Sequence, residues 1–438
     1  MKRDKKEGDE ITNWEKGDKK ATLLLKLSDR MVLAKQNYSE EKGMKKNSMI
    51  LRQVLEVIDQ HEFQKSVAEC EADWHGRQYK SWDHLVTQML AQITGVSGLR
   101  ELCLLQQMQE GALYHLGTKV QKRSTISDAG FRIPYQVFEK TFYRCLEKCN
   151  RVTYRAEKGS VFKYPLKIWD STEITLGVDL INWKRVAHAK GALKLHYEYD
   201  LERHLPCFLV MTEGKVHDVK VAKEHFTPQP DSIYIFDRGY KDYHWYYSFY
   251  KTHAYFVTRL QKEAVYQSVG QHQKLSEEQL KQGLLYDLRI KLRGFQRCKE
   301  ELRLIGYIDP ETRQEYEFLT NQWTVDAYTI TQLYKARWTI EIFFKWIKQN
   351  LKIKSFLGTS RNAILSQIWC AMLYYLCLSY IKFQSRYPLS LFYLHKIIKA
   401  TLFKRTSLWD LLRLKLHQLH LLESHDTRQL WLLPCDSP

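Results

Sequence analysis

Three acidic residues stand where a chain could do chemistry. Asp170 closes the run KIWD and Asp237 the run IYIFD, short stretches rich in β-branched and aromatic residues that read as strands. A carboxylate at a strand end lies at the rim of an open sheet, where α/β proteins build their sites. The third, Glu341, interrupts the apolar run YKARWTIEIFFKWIK at residues 334–348. Three such oxygen donors brought together suit a hard divalent ion, Mg2+ or Mn2+. Two such ions, about 4 Å apart, can activate an attacking oxygen and neutralise a leaving one at a phosphodiester. Each aspartate taken singly is better explained as a helix cap or a turn-former.

Placed on one α-helix at roughly 100° per residue, Tyr334, Arg337, Glu341 and Lys348 share an arc about 60° wide. Leu333, Ala336, Ile340, Phe343, Phe344, Ile347 and Leu351 gather on a neighbouring arc that can be buried. On that stripe Glu341 would hold metal, with Tyr334, Arg337 and Lys348 holding phosphates on either side, arginine by its fork and lysine as a point charge. A solvated stripe carrying the i,i+4 pair of Arg337 and Glu341 is the blander alternative. Asp218, in KVHDVK, is a rival carboxylate whose default role is helix capping. His188, His196 and His217 match no zinc spacing and read as surface or hydrogen-bonded histidines. Glu198 and Asp200 alternate on a strand and read as a solvated face.

The elements that must position these groups follow from the rest of the chain. Its 438 residues, 44% hydrophobic, allow two or three domains with a large core. A net charge of +18 with 27 tyrosines and 12 tryptophans points to a polyanionic partner, nucleic acid first. Nine scattered cysteines without a C-x-x-C do not suggest a disulfide framework or a zinc site and fit a reducing cytoplasm. Cys145 and Cys149 continue the stripe of Phe138, Phe142 and Leu146 and read as core. No secretory signal opens the sequence. The apolar run 363–381 carries Ser366, Gln367 and Ser379 and reads as a buried helix rather than a membrane span.

Residues 1–47 form a charged extension expected to be disordered, with Met44 a second candidate start. Residues 48–150 carry helical periodicity. Leu51, Val54, Leu55 and Ile58 mark one helix, Trp82, Leu85, Val86, Met89, Leu90 and Ile93 another, and Leu99, Leu102, Cys103 and Met108 a third. In KRSTISDAG, Ser124 is expected to cap a short helix carrying Lys122 and Arg123 at its start, an arrangement suited to gripping DNA. After Pro165 the sequence turns to strands with intervening helices. The expected α/β core spans 165–260 and 323–385, with a β-rich insertion at 261–322 and a helical C-terminal region at 386–438.

The spacing Y-x2-R-x3-E-x6-K formed by Tyr334, Arg337, Glu341 and Lys348 resembles the signature of DDE transposases of bacterial insertion sequences, insertion-sequence family four. DST at Asp170, DRGY at Asp237, KGALKLH at 190–196 and IEIFFKWIKQNLKIKSFLGTS after the arginine resemble that family's elements in their order. The resemblance runs from about residue 48 to 430. It implies a ribonuclease-H-like mixed-sheet catalytic core with a β-rich insertion, preceded by an α-helical DNA-binding domain. It implies that Asp170, Asp237 and Glu341 bind two Mg2+ or Mn2+ ions, and that Tyr334, Arg337, Lys348 and Arg238 contact DNA. The implied activity is cleavage at terminal inverted repeats and strand transfer into target DNA, by a homodimer bridging two ends, in the cytoplasm and away from membranes. A catalytically inactive repressor and a metal-dependent nuclease are the competing functions.

Overall fold

The computed structural model describes residues 48–74, 78–156, 164–175, 192–270, 274–293, 300–353 and 355–412. The expectations for residues 1–47, for Met44 and for His188 lie outside the described residues. The chain divides into two compact units. One comprises described residues of 164–175 and 192–344, the other those of 48–156 and 345–412.

Among the described residues the second unit opens with seven helices: α1 (Ile50–Leu55), α2 (Gln60–Glu69), α3 (Ser81–Thr94), α4 (Leu99–Met108), α5 (Glu110–His115), α6 (Arg123–Arg132) and α7 (Gln136–Ala156). The apolar stripe read on α1 is buried throughout. On α3, Leu85, Val86, Met89, Leu90 and Ile93 are buried, and the helix stops at Gly95, whose φ of 73° favours glycine. The stripe read on α4 is only half right. Leu102 is buried, whereas Met108 is 71% exposed, because α4 lies at the surface of its unit. The helix α6 begins at Arg123 with Lys122 at its N-cap, so Ser124 sits inside the first turn and caps nothing.

The first unit is built on one nine-stranded sheet, in the order β3-β2-β1-β4-β5-β9-β8-β7-β6. Its leading strands are β1 (Leu166–Thr175), β2 (Ala192–Asp200) and β3 (Leu205–Glu213), an antiparallel meander. The helix α8 (Asp218–His225) leads to β4 (Ile233–Phe236), and α9 (Tyr243–Lys251) to β5 (Tyr255–Arg259); β4 pairs parallel to β1, and β5 parallel to β4. The expected insertion supplies β6 (Tyr266–Ser268), a short α10 (Glu277–Lys281), β7 (Leu284–Leu292), β8 (Leu302–Ile308) and β9 (Glu315–Thr320). It extends the core sheet rather than forming a separate layer, because β9 pairs antiparallel with β5. Gly283 opens β7 at a φ of 97°, and a Cβ there would stand 2.2 Å from the Ile308 carbonyl oxygen.

Burial explains the sheet's handed faces. Trp169, Phe226, Tyr234, Phe236, Trp245, Phe249 and Phe256 form an aromatic cluster on one face, with Trp169 stacked on Phe226 at 5.1 Å and on Trp245 at 5.4 Å. Because side chains alternate along a strand, Asp170 is directed to the other face. There Tyr197 and Tyr199 of β2 pack on Phe343, at 5.2 and 5.0 Å between ring centres.

Phe343 belongs to α12 (Trp338–Asn350), which follows α11 (Ala327–Lys335). The single helix expected over 334–348 is therefore two. At the junction the bonds run three residues back, Arg337 N to Tyr334 O at 3.0 Å and Ile340 N to Arg337 O at 3.1 Å, so Ala336 and Arg337 leave the regular α-helical ladder. The apolar arc survives the break, with Leu333, Ala336, Ile340, Phe343, Phe344, Ile347 and Leu351 all buried.

In the second unit α13 (Arg361–Ser385) and α14 (Leu391–Thr401) follow. The helix α13 is long and apolar enough to cross a membrane, but 94% of its apolar window is buried inside the protein, packed on α3 and α7 among other helices. Cys145, Cys149, Phe138, Phe142 and Leu146 are buried as the stripe on α7 requires.

Candidate active site

The register of two strands places the aspartates. Trp169 on β1 is the Cα partner of Phe236 on β4. Asp170 and Asp237 each follow one of these partners, so they lie side by side on adjacent parallel strands spaced about 4.8 Å apart. Asp170 does not end its strand, as the sequence suggested. The strand β1 runs on to Thr175 because β2 keeps pairing with it as far as Ala192, while β4 stops at Phe236. Asp237 does end its strand: its Oδ1 accepts from Gly239 N at 2.8 Å and caps the short 3-10 turn Arg238–Tyr240. A Cβ on Gly239 would meet that same oxygen at 2.9 Å.

Glu341 arrives from α12, in the same unit. Arg337 stands between it and β1, donating from Nη1 to Asp170 Oδ2 at 3.0 Å and from Nη2 to Glu341 Oε1 at 2.5 Å. The blander i,i+4 pair of Arg337 with Glu341 thus exists, but it is half of a bridge to a strand 167 residues away. Asp170 is pushed up to about 7, chiefly by burial; the pull of Arg337 opposes this, and the charges of Asp237 and Glu341 add to it. Asp170 therefore feels the charge of both other carboxylates. Burial works against the charge of Arg337, yet Asp170, Tyr334 and Glu341 hold it firmly protonated. Its Nε is buried and finds no acceptor among the described residues.

Tyr334 packs on Phe318 at 5.0 Å and under the Arg337 guanidinium at 5.9 Å. Arg238 is exposed beside Asp237. Lys348 lies two turns beyond Glu341 on α12. Sequence reasoning passed over Arg259, the last residue of β5. It lies over the Tyr316 ring at 4.8 Å and its charge is felt by the Tyr334 phenol, while the neighbouring Thr258 hydroxyl donates to the Asp237 carbonyl at 3.2 Å. The signal available was a basic residue closing a strand next to the one that carries Asp237.

Asp218 is not a cap. It is the first residue of α8, accepts from Lys194 Nζ at 2.8 Å and faces His196 Nδ1 at 3.1 Å. His196 is the register partner of Ser171, one residue past Asp170, so this network belongs to the opposite face of the sheet from Asp170. Glu198 and Asp200 are not a solvated face either. Lys167 Nζ sits 3.6 Å from Glu198 and 3.4 Å from Asp200 and draws both inward, and Glu198 also accepts from the Trp169 indole at 3.0 Å.

No three His, Cys, Asp or Glu side chains among the described residues lie close enough to ligate one ion as they stand. The reason at Asp170 and Glu341 is the guanidinium between them. The donor set nonetheless fits a hydrated divalent ion: the groups it offers are carboxylate oxygens, and a buried N–H beside them lacks a partner among the described residues. In the helical unit, a cleft of about 720 Å3 is lined by Ser97, Arg100, Glu101, Arg123, Ser124 and Ser127.

The strand order 3-2-1-4-5, with a meander and two parallel additions, defines a ribonuclease-H-like core. Residues 162–377 match the transposase DDE domain, and residues 46–119 match a domain of unknown function (DUF4372). The y4zB protein of Sinorhizobium fredii, named as a transposase, is 31% identical over 284 residues, covering 64% of this chain and 77% of the relative. A protein of Geobacillus stearothermophilus named as a transposase for insertion sequence element IS5377 is 29% identical over 60% of this chain and 68% of its own length. A Synechocystis protein named for insertion sequence element IS4SA is 24% identical over 58% and 70%. The chain belongs to the DDE transposases of insertion sequences. It is a DNA transposase, an enzyme of a family that acts on DNA with divalent metal ions, and its relatives are consistent with insertion-sequence family four. Neither a repressor nor a general nuclease is favoured.

Proposed function

We propose that Asp170, Asp237 and Glu341 are the catalytic, metal-holding carboxylates, and that they take two Mg2+ or Mn2+ ions. The observation that carries this reading is the bridge of one guanidinium to Asp170 and Glu341, with Asp237 set beside Asp170 by strand register. Divalent ions bound there supply Lewis acidity for in-line displacement at phosphorus. The chain's own residues do the rest. Burial of Asp170 keeps bulk water from the reacting centre, Arg337 and Lys348 bind backbone phosphates on either side of it, and Tyr334 orients them. Arg238 and Arg259 extend this phosphate-binding rim beside Asp237. The same site serves hydrolysis at the inverted repeats and joining of the freed 3′ hydroxyl to target DNA, because the two steps differ only in the attacking hydroxyl.

The helical region 48–150 binds DNA in this reading, through Arg100, Lys122 and Arg123 at the cleft and at the start of α6. The enzyme acts in the cytoplasm as a homodimer bridging two element ends. The test uses the full chain, Mg2+ and DNA bearing the terminal inverted repeats. Wild type should cut and join at the ends, and Glu341→Gln should bind ends without cutting. Nicking with no end preference would indicate a nuclease, and normal cutting by Glu341→Gln would remove that residue from the site.

A further inference from the structure

Two inward-facing arginines in the sheet unit, Arg303 buried and Arg337 half-buried, are held in different ways. Arg303 gives Nε and Nη2 to the two oxygens of one carboxylate, Asp287, at 2.9 and 2.7 Å, and its Nη1 to the carbonyls of Gln322 and Val325. That is a structural arginine, held on one carboxylate and two backbone carbonyls. Arg337 divides its fork between Asp170 and Glu341, which stand on different elements, and leaves its buried Nε without an acceptor. It also sits where the helical ladder is interrupted, between α11 and α12.

The Arg337 fork fills the gap between Asp170 and Glu341, at 3.0 and 2.5 Å from their oxygens. A guanidinium and a divalent ion cannot both occupy the space between Asp170 and Glu341. Resting on the reading of these carboxylates as metal ligands, we infer that Arg337 stands in for the metal when none is bound, and that the ion displaces it and frees its fork for a DNA phosphate. The arginine is thus a positioning residue for the metal-free site and a phosphate ligand for the loaded one. Its exchange couples the two ligands: the ion must expel Arg337, and the expelled arginine strengthens DNA binding.

The test measures Mn2+ binding to the full-length protein without DNA, by the loss of free-ion paramagnetic resonance. Arg337→Ala should bind Mn2+ about tenfold more tightly than wild type, within the usual range of coupling between two sites. Arg337→Lys, which keeps a charge but cannot fork across both carboxylates, should lie between them. In thermal melts Arg337→Ala should be less stable than wild type without ion and gain more from Mn2+. A folded Arg337→Ala with unchanged or weaker Mn2+ binding overturns the inference; should that variant not fold, unchanged binding by Arg337→Lys does the same. If neither Asp170→Asn nor Glu341→Gln weakens Mn2+ binding in wild-type background, the carboxylate reading itself fails, and the exchange falls with it.

Discussion

The sheet unit and the helical unit treat buried polarity in opposite ways. In the sheet unit charges go inside in pairs or larger groups, with Arg303 on Asp287, Lys167 among Glu198 and Asp200, and Arg337 between Asp170 and Glu341. In the helical unit the buried polar groups are neutral. His84 and His395 are both drawn down to about 4, chiefly by burial, and the Cys149 and Cys377 thiols, packed between α7 and α13, are pushed well up, Cys149 by its contact with Cys145 and by burial, Cys377 chiefly by burial. Its ion pairs, such as Lys140 with Glu69, lie at the surface. A strand can present an acid directly to a neighbouring strand or to a helix laid across it, and so can hold charges in compensated groups. Helices that meet along apolar stripes offer no such partner, and there the cost of burying a charge is met by staying neutral.

The largest effect expected from this contrast is catalytic. Asp170→Asn or Asp237→Asn should lower end cleavage by on the order of 10³-fold or more, whereas Cys145→Ala in the helical core should leave the rate of the folded enzyme near wild type. Single-turnover cleavage of an inverted-repeat duplex distinguishes them. Next comes the buried pair: Arg303→Met alone should cost about 3–5 kcal/mol in denaturant unfolding, while Arg303→Met with Asp287→Leu should recover most of it. Equal losses in the single and double variants would show that the pair is not what the sheet relies on there.

The two units should also slope oppositely with pH. His84 is drawn below its unfolded value of about 6.5, so its burial favours folding fully above that pH, and the contribution is lost as pH falls toward 4. The loss is about 3 kcal/mol and should flatten in His84→Gln. Asp170 is raised, so without metal its contribution is fully present below about pH 4 and is lost as pH rises through about 7, a trend Asp170→Asn should abolish. Melting curves across that range, without divalent ions, check both signs. The smallest effect concerns the helical unit's rim. Arg123→Gln should weaken end binding only a few-fold and reduce the slope of log affinity against log salt by about one.

Much of the candidate site was legible because it is written in residue type and spacing. The apolar arc from Leu333 to Leu351 was read correctly, since burial of a helix face needs only periodicity. The position of Asp237 at a strand end was read correctly too. What failed depended on partners. The break at Ala336–Arg337 lies in a run with ordinary helical periodicity and without glycine or proline; it accompanies an ion pair to a distant strand. The rival Asp218 was assigned to a cap because its neighbours in sequence allow it, while Lys194 and His196 come to it from another strand. Arg259 was passed over because a lone basic residue at the end of a strand carries no pattern.

By itself the sequence determined the family and the alternation of buried and polar positions, and it singled out the three acids as candidates, all of which rest on local chemistry and spacing. Tertiary structure decided that Asp170 lies in mid-strand, that the insertion continues the core sheet, and that Arg337 lies between two of the acids. Strand pairing and charge compensation join residues more than a hundred positions apart, and no local preference encodes which partner a buried charge will find.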